Sequence, residues 1–226
     1  MSYASCALTR IRLNIWNSQD MVSSLESPQN SGVLPWWAKE RGYGVFAVLT
    51  GTIAWIASGI LVLERLELYK NPDYVTSCDF NPWVSCGTVM KSSQAALLGF
   101  PNPFLGIVLF GVLITIGMAL LAGAKFQRWF WIGIQTGVTI AMIFIIWLWS
   151  QALYEINALC PYCMVVWAVM IPLFVFTTSH NIVRGVIPSS AGLKKFVTEW
   201  SWIITAILWV LVAASIVMRF PNAFFG

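Results

Sequence analysis

The chain has 226 residues, 58% hydrophobic and 10% charged, with a mean hydropathy of +0.76 and a formal net charge of +4. Those values exclude a water-soluble globular domain and require an integral membrane protein. The positive excess does not mark a nucleic-acid binder, because the basic residues fall in short clusters between apolar runs, where membrane-protein loops carry them.

Residues 1–42 are polar and serine-containing, with neither an apolar h-region nor a cleavage site, so a disordered cytoplasmic tail is expected rather than a signal peptide. Met21 is an alternative start. Five uncharged runs are long enough to cross about 30 Å of hydrocarbon. They cover residues 44–63, 104–124, 129–150, 159–178 and 200–218. Helices are required, because backbone groups in lipid must pair within their own segment and no alternating barrel pattern occurs. Residues 88–98 are expected to form a short amphipathic half-helix at the surface, with Lys91, Ser92, Ser93 and Gln94 opposed to Val89, Met90, Ala96, Leu97 and Leu98. Gly99, Pro101 and Pro103 separate it from the second span. The expected architecture is an all-α integral membrane protein. A four-helix bundle forms the core over residues 43–180, and residues 181–226 supply a cytoplasmic loop, a fifth transmembrane helix and a short periplasmic tail. No internal repeat is apparent.

Orientation follows from the basic residues. With a cytoplasmic amino terminus, that side holds Arg10, Arg12, Lys39, Arg41, Lys125, Arg128, Arg184, Lys194 and Lys195, nine in all, against four (Arg65, Lys70, Lys91, Arg219) on the other. Trp36, Trp37, Trp129, Trp131, Trp147, Trp149, Trp200 and Trp202 lie near predicted helix ends and read as interfacial anchors and packing residues. In this topology Cys78, Cys86, Cys160 and Cys163 share the extracytoplasmic face, the oxidising one in a bacterial inner membrane, and Cys6 is left alone in the tail as a cytosolic thiol.

Cys160 and Cys163 stand three apart at the mouth of the fourth span, which places both sulfurs on one helical face. Pro161 fits the first turn, and Asn157 is a candidate cap. A cysteine at a helix N-terminus meets unpaired N–H groups and the positive end of the macrodipole, which stabilise its thiolate, the form that attacks disulfides. A structural pair and a four-thiolate metal site are the competing readings. Against the metal, Cys78 and Cys86 are separated by seven residues and no histidine is near; His180 is expected as an interfacial residue at the opposite face.

The stretch Cys78-Asp79-Phe80-Asn81-Pro82-Trp83-Val84-Ser85-Cys86, followed by Phe100-Pro101-Asn102-Pro103 and by Cys160-Pro161-Tyr162-Cys163, resembles the vitamin K epoxide reductase family and its bacterial members in particular. The similarity runs from about Gly42 to Thr178. Many bacterial relatives carry a fused thioredoxin-like domain after the fifth helix; this chain stops at Gly226, so the resemblance implies a separate periplasmic DsbA/thioredoxin-like partner. It further implies an electron relay in which the partner attacks a Cys78–Cys86 disulfide at Cys78, the exposed sulfur of a mobile loop. Cys86 then passes the electrons to Cys160, and Cys163 reduces a membrane quinone, menaquinone or ubiquinone, supporting disulfide bond formation. Asn102 matches the position that hydrogen-bonds a quinone oxygen, Met164 and Trp167 supply apolar surroundings, and Asp79 and Ser85 belong to the loop motif. Trp167 stands where animal enzymes have a tyrosine, which points away from epoxide chemistry.

The residues themselves fit this division: Asn71, Pro72, Asp73, Asn81 and Pro82 give the loop turn chemistry, and a helix-capping pair is fixed. Glu155 reads as a solvated loop charge. A DsbB-type oxidase has its two cysteine pairs in the reverse order. Two alternatives stay open at this stage: a quinone or vitamin K epoxide reductase fed by other thiols, and a non-enzymatic four-thiolate metal-binding membrane protein.

Overall fold

A computed structural model describes residues 34–221, so Cys6, Met21 and most of the expected tail lie outside the described residues. Six α-helices are described: α1 Glu40–Lys70, α2 Cys86–Lys91, α3 Pro103–Leu121, α4 Arg128–Gln151, α5 Pro161–Val183 and α6 Ala191–Arg219. All except α2 are long and apolar enough to cross a membrane, and the architecture is all-α.

The apolar runs locate the spans, and helix-forming charged residues extend them. α1 continues past the expected end at residue 63 because Glu64, Arg65, Glu67 and Lys70 favour helix as strongly as the apolar residues do, and Lys70 pairs with Glu67 one turn back at 2.7 Å. At 31 residues it is roughly 46 Å long, enough to carry its last turns clear of the hydrocarbon. At its other end a 3₁₀ turn, Trp36–Ala38, precedes it; Trp37 and Ala38 are buried beside Phe176, so residues 34–42 are ordered where a disordered tail was expected.

The half-helix divides into two pieces. Ser85 caps α2 by accepting the Thr88 N–H, which starts the helix at Cys86, and extended backbone at Ser92 separates α2 from a 3₁₀ turn at Ser93–Ala96. Gly99, at φ +84°, then turns the chain into Pro103, the first residue of α3.

α1 and α5 form the centre. α1 packs along α3 and α5, and α5 also packs against α4 and α6. The α1/α3 seam brings backbones together. A Cβ on Gly117 would stand 2.9 Å from the Gly44 carbonyl oxygen and 2.8 Å from Val48 Cγ2, and one on Gly51 would stand 2.9 Å from Ile114. Without water to drive association, small residues that permit close approach are how membrane helices gain dispersion contact. Phe110, Leu113, Trp131, Met170 and Leu173 complete the core, and Leu49, Ile53, Ile140 and Ile143 face outward.

His180 is the main departure from expectation. α5 runs one turn beyond residue 178 and draws the ring inside, where it is fully buried instead of interfacial. Its Nδ1 donates to the Trp37 carbonyl at 3.0 Å, and its ring lies 4.8 Å from Tyr43 and 4.4 Å from Trp131. Tyr43 and Thr177 hydroxyls bond at 2.8 Å beside it. These contacts make the end of the bundle remote from the cysteines a packed aromatic cap.

Candidate active site

Cys78 and Cys86 are joined in a disulfide, and Cys160 and Cys163 are free thiols. Cys160 Sγ lies 3.2 Å from Cys86 Sγ although the residues are 74 apart in sequence. A main-chain bridge produces this approach: Leu159 N–H donates to the Trp83 carbonyl at 2.7 Å, and Ser85 N–H donates to the Leu159 carbonyl at 2.9 Å. Each cysteine of the close pair immediately follows a bridged residue, so backbone hydrogen bonds set the distance between the sulfurs.

The loop is held from within by Asp79. Its carboxylate accepts from the Ser85 hydroxyl at 2.7 Å, the Gly87 N–H at 3.0 Å and the Thr76 N–H at 2.9 Å, tying together the two sides of the disulfide ring. Partial burial pushes the Asp79 carboxyl up, but these bonds outweigh it and hold the group below the usual carboxylate range. Gly87 is required for the arrangement, because a Cβ there would stand 2.8 Å from Asp79 Oδ2. Nearby, the buried Glu64 of α1 receives the Ser77 N–H at 3.4 Å. Asn81 closes the loop's tight turn, its side-chain oxygen accepting from Trp83 and Val84.

Loop mobility and an exposed Cys78 were expected; instead Cys78 is 2% exposed. The disulfide draws it under the end of α1, where Leu61, Leu68 and Met90 cover it. Asn157 is likewise not the cap of α5. Cys160 takes that place, its sulfur accepting the Cys163 N–H at 3.4 Å, and Asn157 sits at φ +55° ending a π turn, Ala152–Ile156, that continues α4. π turns are rare and collect at functional sites. Arg219, at the end of α6, fastens this one by donating to the Leu153 carbonyl at 2.9 Å and to the Asn157 side-chain oxygen. Glu155, on the same turn, is exposed.

The thiol of Cys160 is held below its ordinary range, first by the hydrogen bond from the Cys163 side chain, with burial opposing and the N–H groups of Cys163 and Tyr162 adding to the effect. The N–H groups at the helix start thus add to the effect of the Cys163 thiol, with Cys160 as the helix's own cap.

Behind the pair lies an apolar cavity of about 870 Å³, running between α3 and α4 and lined by both Cys160 and Cys163. Trp167 and Asn102 line it as well. The Asn102 amide donates to the Gln94 carbonyl at 2.7 Å and accepts the Leu97 N–H at 3.2 Å, pinning the turn before α3. Met164 does not line the cavity. One residue beyond Cys163 is about 100° around the helix, and that rotation carries Met164 into the cluster of Leu153, Leu159 and Ile216 against α6. Sequence reading passed over Gly87, Leu159 and Arg219; Gly87, immediately after Cys86, was the one with a signal, since a glycine inside a helix start marks a close approach.

The arrangement is suited to thiol–disulfide exchange: a stabilised thiolate faces a disulfide, and an apolar chamber adjoins the second thiol. The disulfide also takes two of the four sulfurs out of contention as thiolate ligands for a metal.

Among curated proteins none matches the chain. The sequence model of the Vitamin K epoxide reductase family matches residues 45–178, a stretch that includes both cysteine pairs, Asn102 and the cavity helices. With more than half of its length in that match and its spans intact, the chain belongs to the vitamin K epoxide reductase family, as a membrane-embedded oxidoreductase.

Proposed function

We propose that the protein oxidises a thioredoxin-like, DsbA-type dithiol partner and delivers the electrons to a membrane quinone, thereby sustaining disulfide formation outside the cytoplasm. The observation that carries this reading is the 3.2 Å approach of Cys160 to Cys86 at the head of a cavity both helix cysteines line. In-line thiolate attack needs contact of this order.

Electrons enter when a partner thiolate attacks Cys78, breaking the Cys78–Cys86 bond and releasing Cys86 as thiolate; the partner's second thiol then resolves the mixed disulfide. Cys86 attacks Cys160 of the oxidised helix pair and frees Cys163, and Cys78 attacks Cys86, which restores the outer disulfide and leaves Cys160 reduced. Outer pair oxidised and helix pair reduced is the state described above, with two electrons held beside the cavity. The quinone, a lipid-borne substrate, takes them from Cys163. Asn102 retains one amide N–H beyond its bond to Gln94 for a ring oxygen, and Trp167 forms part of the apolar wall. The excess of basic residues on the amino-terminal side supports an extracytoplasmic location for the cysteines.

The full chain in lipid vesicles containing menaquinone or ubiquinone, supplied with a reduced DsbA-type protein, is expected to convert quinone to quinol in proportion to partner disulfide formed. A Cys78→Ala variant is expected to lose that activity while keeping quinone reduction driven by a small dithiol. Activity with small dithiols but none with protein thiols would remove the protein partner from the scheme. A membrane-impermeant thiol reagent that reached the two cysteine pairs from different sides would end it.

A further inference from the structure

The cavity is mostly apolar, with Ser58, Ser92, Gln94, Asn102 and Thr115 as neutral polar residues in its wall; among the described residues, Arg65 of α1 is the only charged side chain that lines it. Arg65 lies at the cysteine end. Its Nη1 donates to the Met90 carbonyl, and Met90 packs in the same cluster as Cys86 and Cys160; Leu61, one turn before Arg65, belongs to that cluster too. The guanidinium is incompletely neutralised. Its Nε is buried without a hydrogen-bond partner although the residue as a whole is half-buried, neither ion pair among the described residues involves it, and the guanidinium lies 4.6 Å from the centre of the Tyr69 ring. A cation with an unsatisfied, desolvated N–H is costly unless an anion shares its surroundings at some point in the cycle.

Resting on the function proposed above, the chemistry identifies that anion. Cys163, deprotonated, gives its electron pair to the quinone ring. Cys160, deprotonated in turn, attacks the Cys163 sulfur, the Cys160–Cys163 bond forms, and the ring departs with both electrons. Two protons, matching the two lost from the thiols, end on the quinol oxygens. Until they arrive the cavity holds negative charge, first on sulfur and then on oxygen, in surroundings that would otherwise repel it. We propose that Arg65 is the anion-stabilising residue of this cavity, its guanidinium offsetting the negative charge as it passes from the helix cysteines to the quinone. A fixed charge in a water-poor site needs no reorganisation when the electrons move, which is why such groups act on rate more than on binding.

The experiment uses the full chain in vesicles, with a decyl-substituted benzoquinone as oxidant and a small dithiol as reductant. Arg65→Gln keeps a donor for the Met90 carbonyl and removes the charge; Arg65→Lys keeps the charge. Reoxidation of the helix pair by the quinone in a single turnover is expected to fall on the order of tenfold to a hundredfold in Arg65→Gln. In Arg65→Lys, which keeps the charge but gives up the planar group over Tyr69, the fall is expected to be clearly smaller than in Arg65→Gln. The fall should appear in kcat with KM little changed. A second readout needs no quinone: the pH midpoint for iodoacetamide alkylation of Cys160 and Cys163 should rise in Arg65→Gln and not in Arg65→Lys. The other titratable groups on the elements at that end are Asp79 in the loop, Tyr74 and Tyr162 packed in the same cluster, Glu64 of α1 on the Ser77 N–H, and the exposed Lys91 of α2 and Glu155 of the π turn, and they are common to all variants. Parent-like behaviour of Arg65→Gln in both readouts overturns the proposal, as does equal impairment of both variants, which would make the Met90 contact the important one. Arg65→Met replaces Arg65→Gln if the latter does not fold. If the parent protein fails to reduce quinone, the function proposed above fails, and the alkylation midpoint still decides the role of Arg65.

Discussion

The two sides of α3 use glycine in opposite ways. Toward α1, Gly44, Gly51 and Gly117 let backbones meet, and a Cβ added at Gly117 would press on a carbonyl oxygen of the facing helix. Toward α4, Gly133 and Gly137 have no atom within 4 Å of an added Cβ, and both line the cavity. One residue type thus closes the α1/α3 seam and leaves room along the α4 wall of the cavity. Stability is concentrated in the seam, and room for a substrate lies where the same small residue meets nothing.

The largest effect is expected at the seam. Gly117→Leu forces α1 and α3 apart where both obstacles are close, one of them backbone, and should leave no monodisperse protein in detergent; overpacking of this kind costs about 1–3 kcal/mol or more. A normal thermal transition in that variant would break the contrast. Gly137→Leu should fold as the parent does and fill part of the cavity instead, raising KM for a long-chain quinone about tenfold, the scale of about 1.4 kcal/mol of lost site complementarity. A loss of folding there would mean that the cavity wall is as closely packed as the seam.

The cysteine loop falls between these extremes, since hydrogen bonds hold it and packing only covers it. Asp79→Asn should speed reduction of the Cys78–Cys86 disulfide by a water-soluble phosphine several-fold, measured by mass shift after alkylation. The sign with pH follows from the depressed Asp79 carboxyl. Its stabilisation is complete above the ordinary carboxylate value near 4 and is lost as pH falls through the lower folded value. Acidification should therefore accelerate reduction in the parent and leave Asp79→Asn unchanged. The smallest expected effect distinguishes the two glycine sets by sign: Gly133→Ala should stabilise by up to about 1 kcal/mol through helix propensity, and Gly117→Ala should destabilise, as read in paired thermal melts.

Hydropathy was enough to find all five spans, because the bilayer admits so few solutions. Their ends were less legible. Glu64, Arg65 and Glu67 terminate an apolar run without terminating a helix, and the same is true of Lys194, Lys195 and Glu199 at the start of α6. The cysteines announced themselves by spacing, and Cys160 by its place at a helix start. The approach of Cys86 to Cys160 was implied by the family resemblance and not by the residues, since it depends on a bridge from Leu159 to Trp83 and Ser85 that two unremarkable apolar residues and a serine give no sign of making. The glycine contrast was hidden for a related reason: a helical glycine carries no mark of what it faces. His180 was misplaced because one more turn of α5 was enough to move it from a membrane surface to an aromatic interior.

The disulfide ring has unlike ends. Cys86 is flanked by main-chain bonds to Leu159 of another element, whereas Cys78 is retained within its own loop by the Asp79 N–H on the Thr76 carbonyl and the Asp79 carboxylate on Thr76, and by Glu64 on Ser77. Releasing the Cys78 end breaks a few hydrogen bonds worth about 0.5–1.5 kcal/mol each. It leaves the register of Cys86 against the membrane helix untouched. The main-chain bonds that aim Cys86 at the membrane helix are thus distinct from the contacts that hold Cys78, and within these nine residues the Asp79 carboxylate is what links the two.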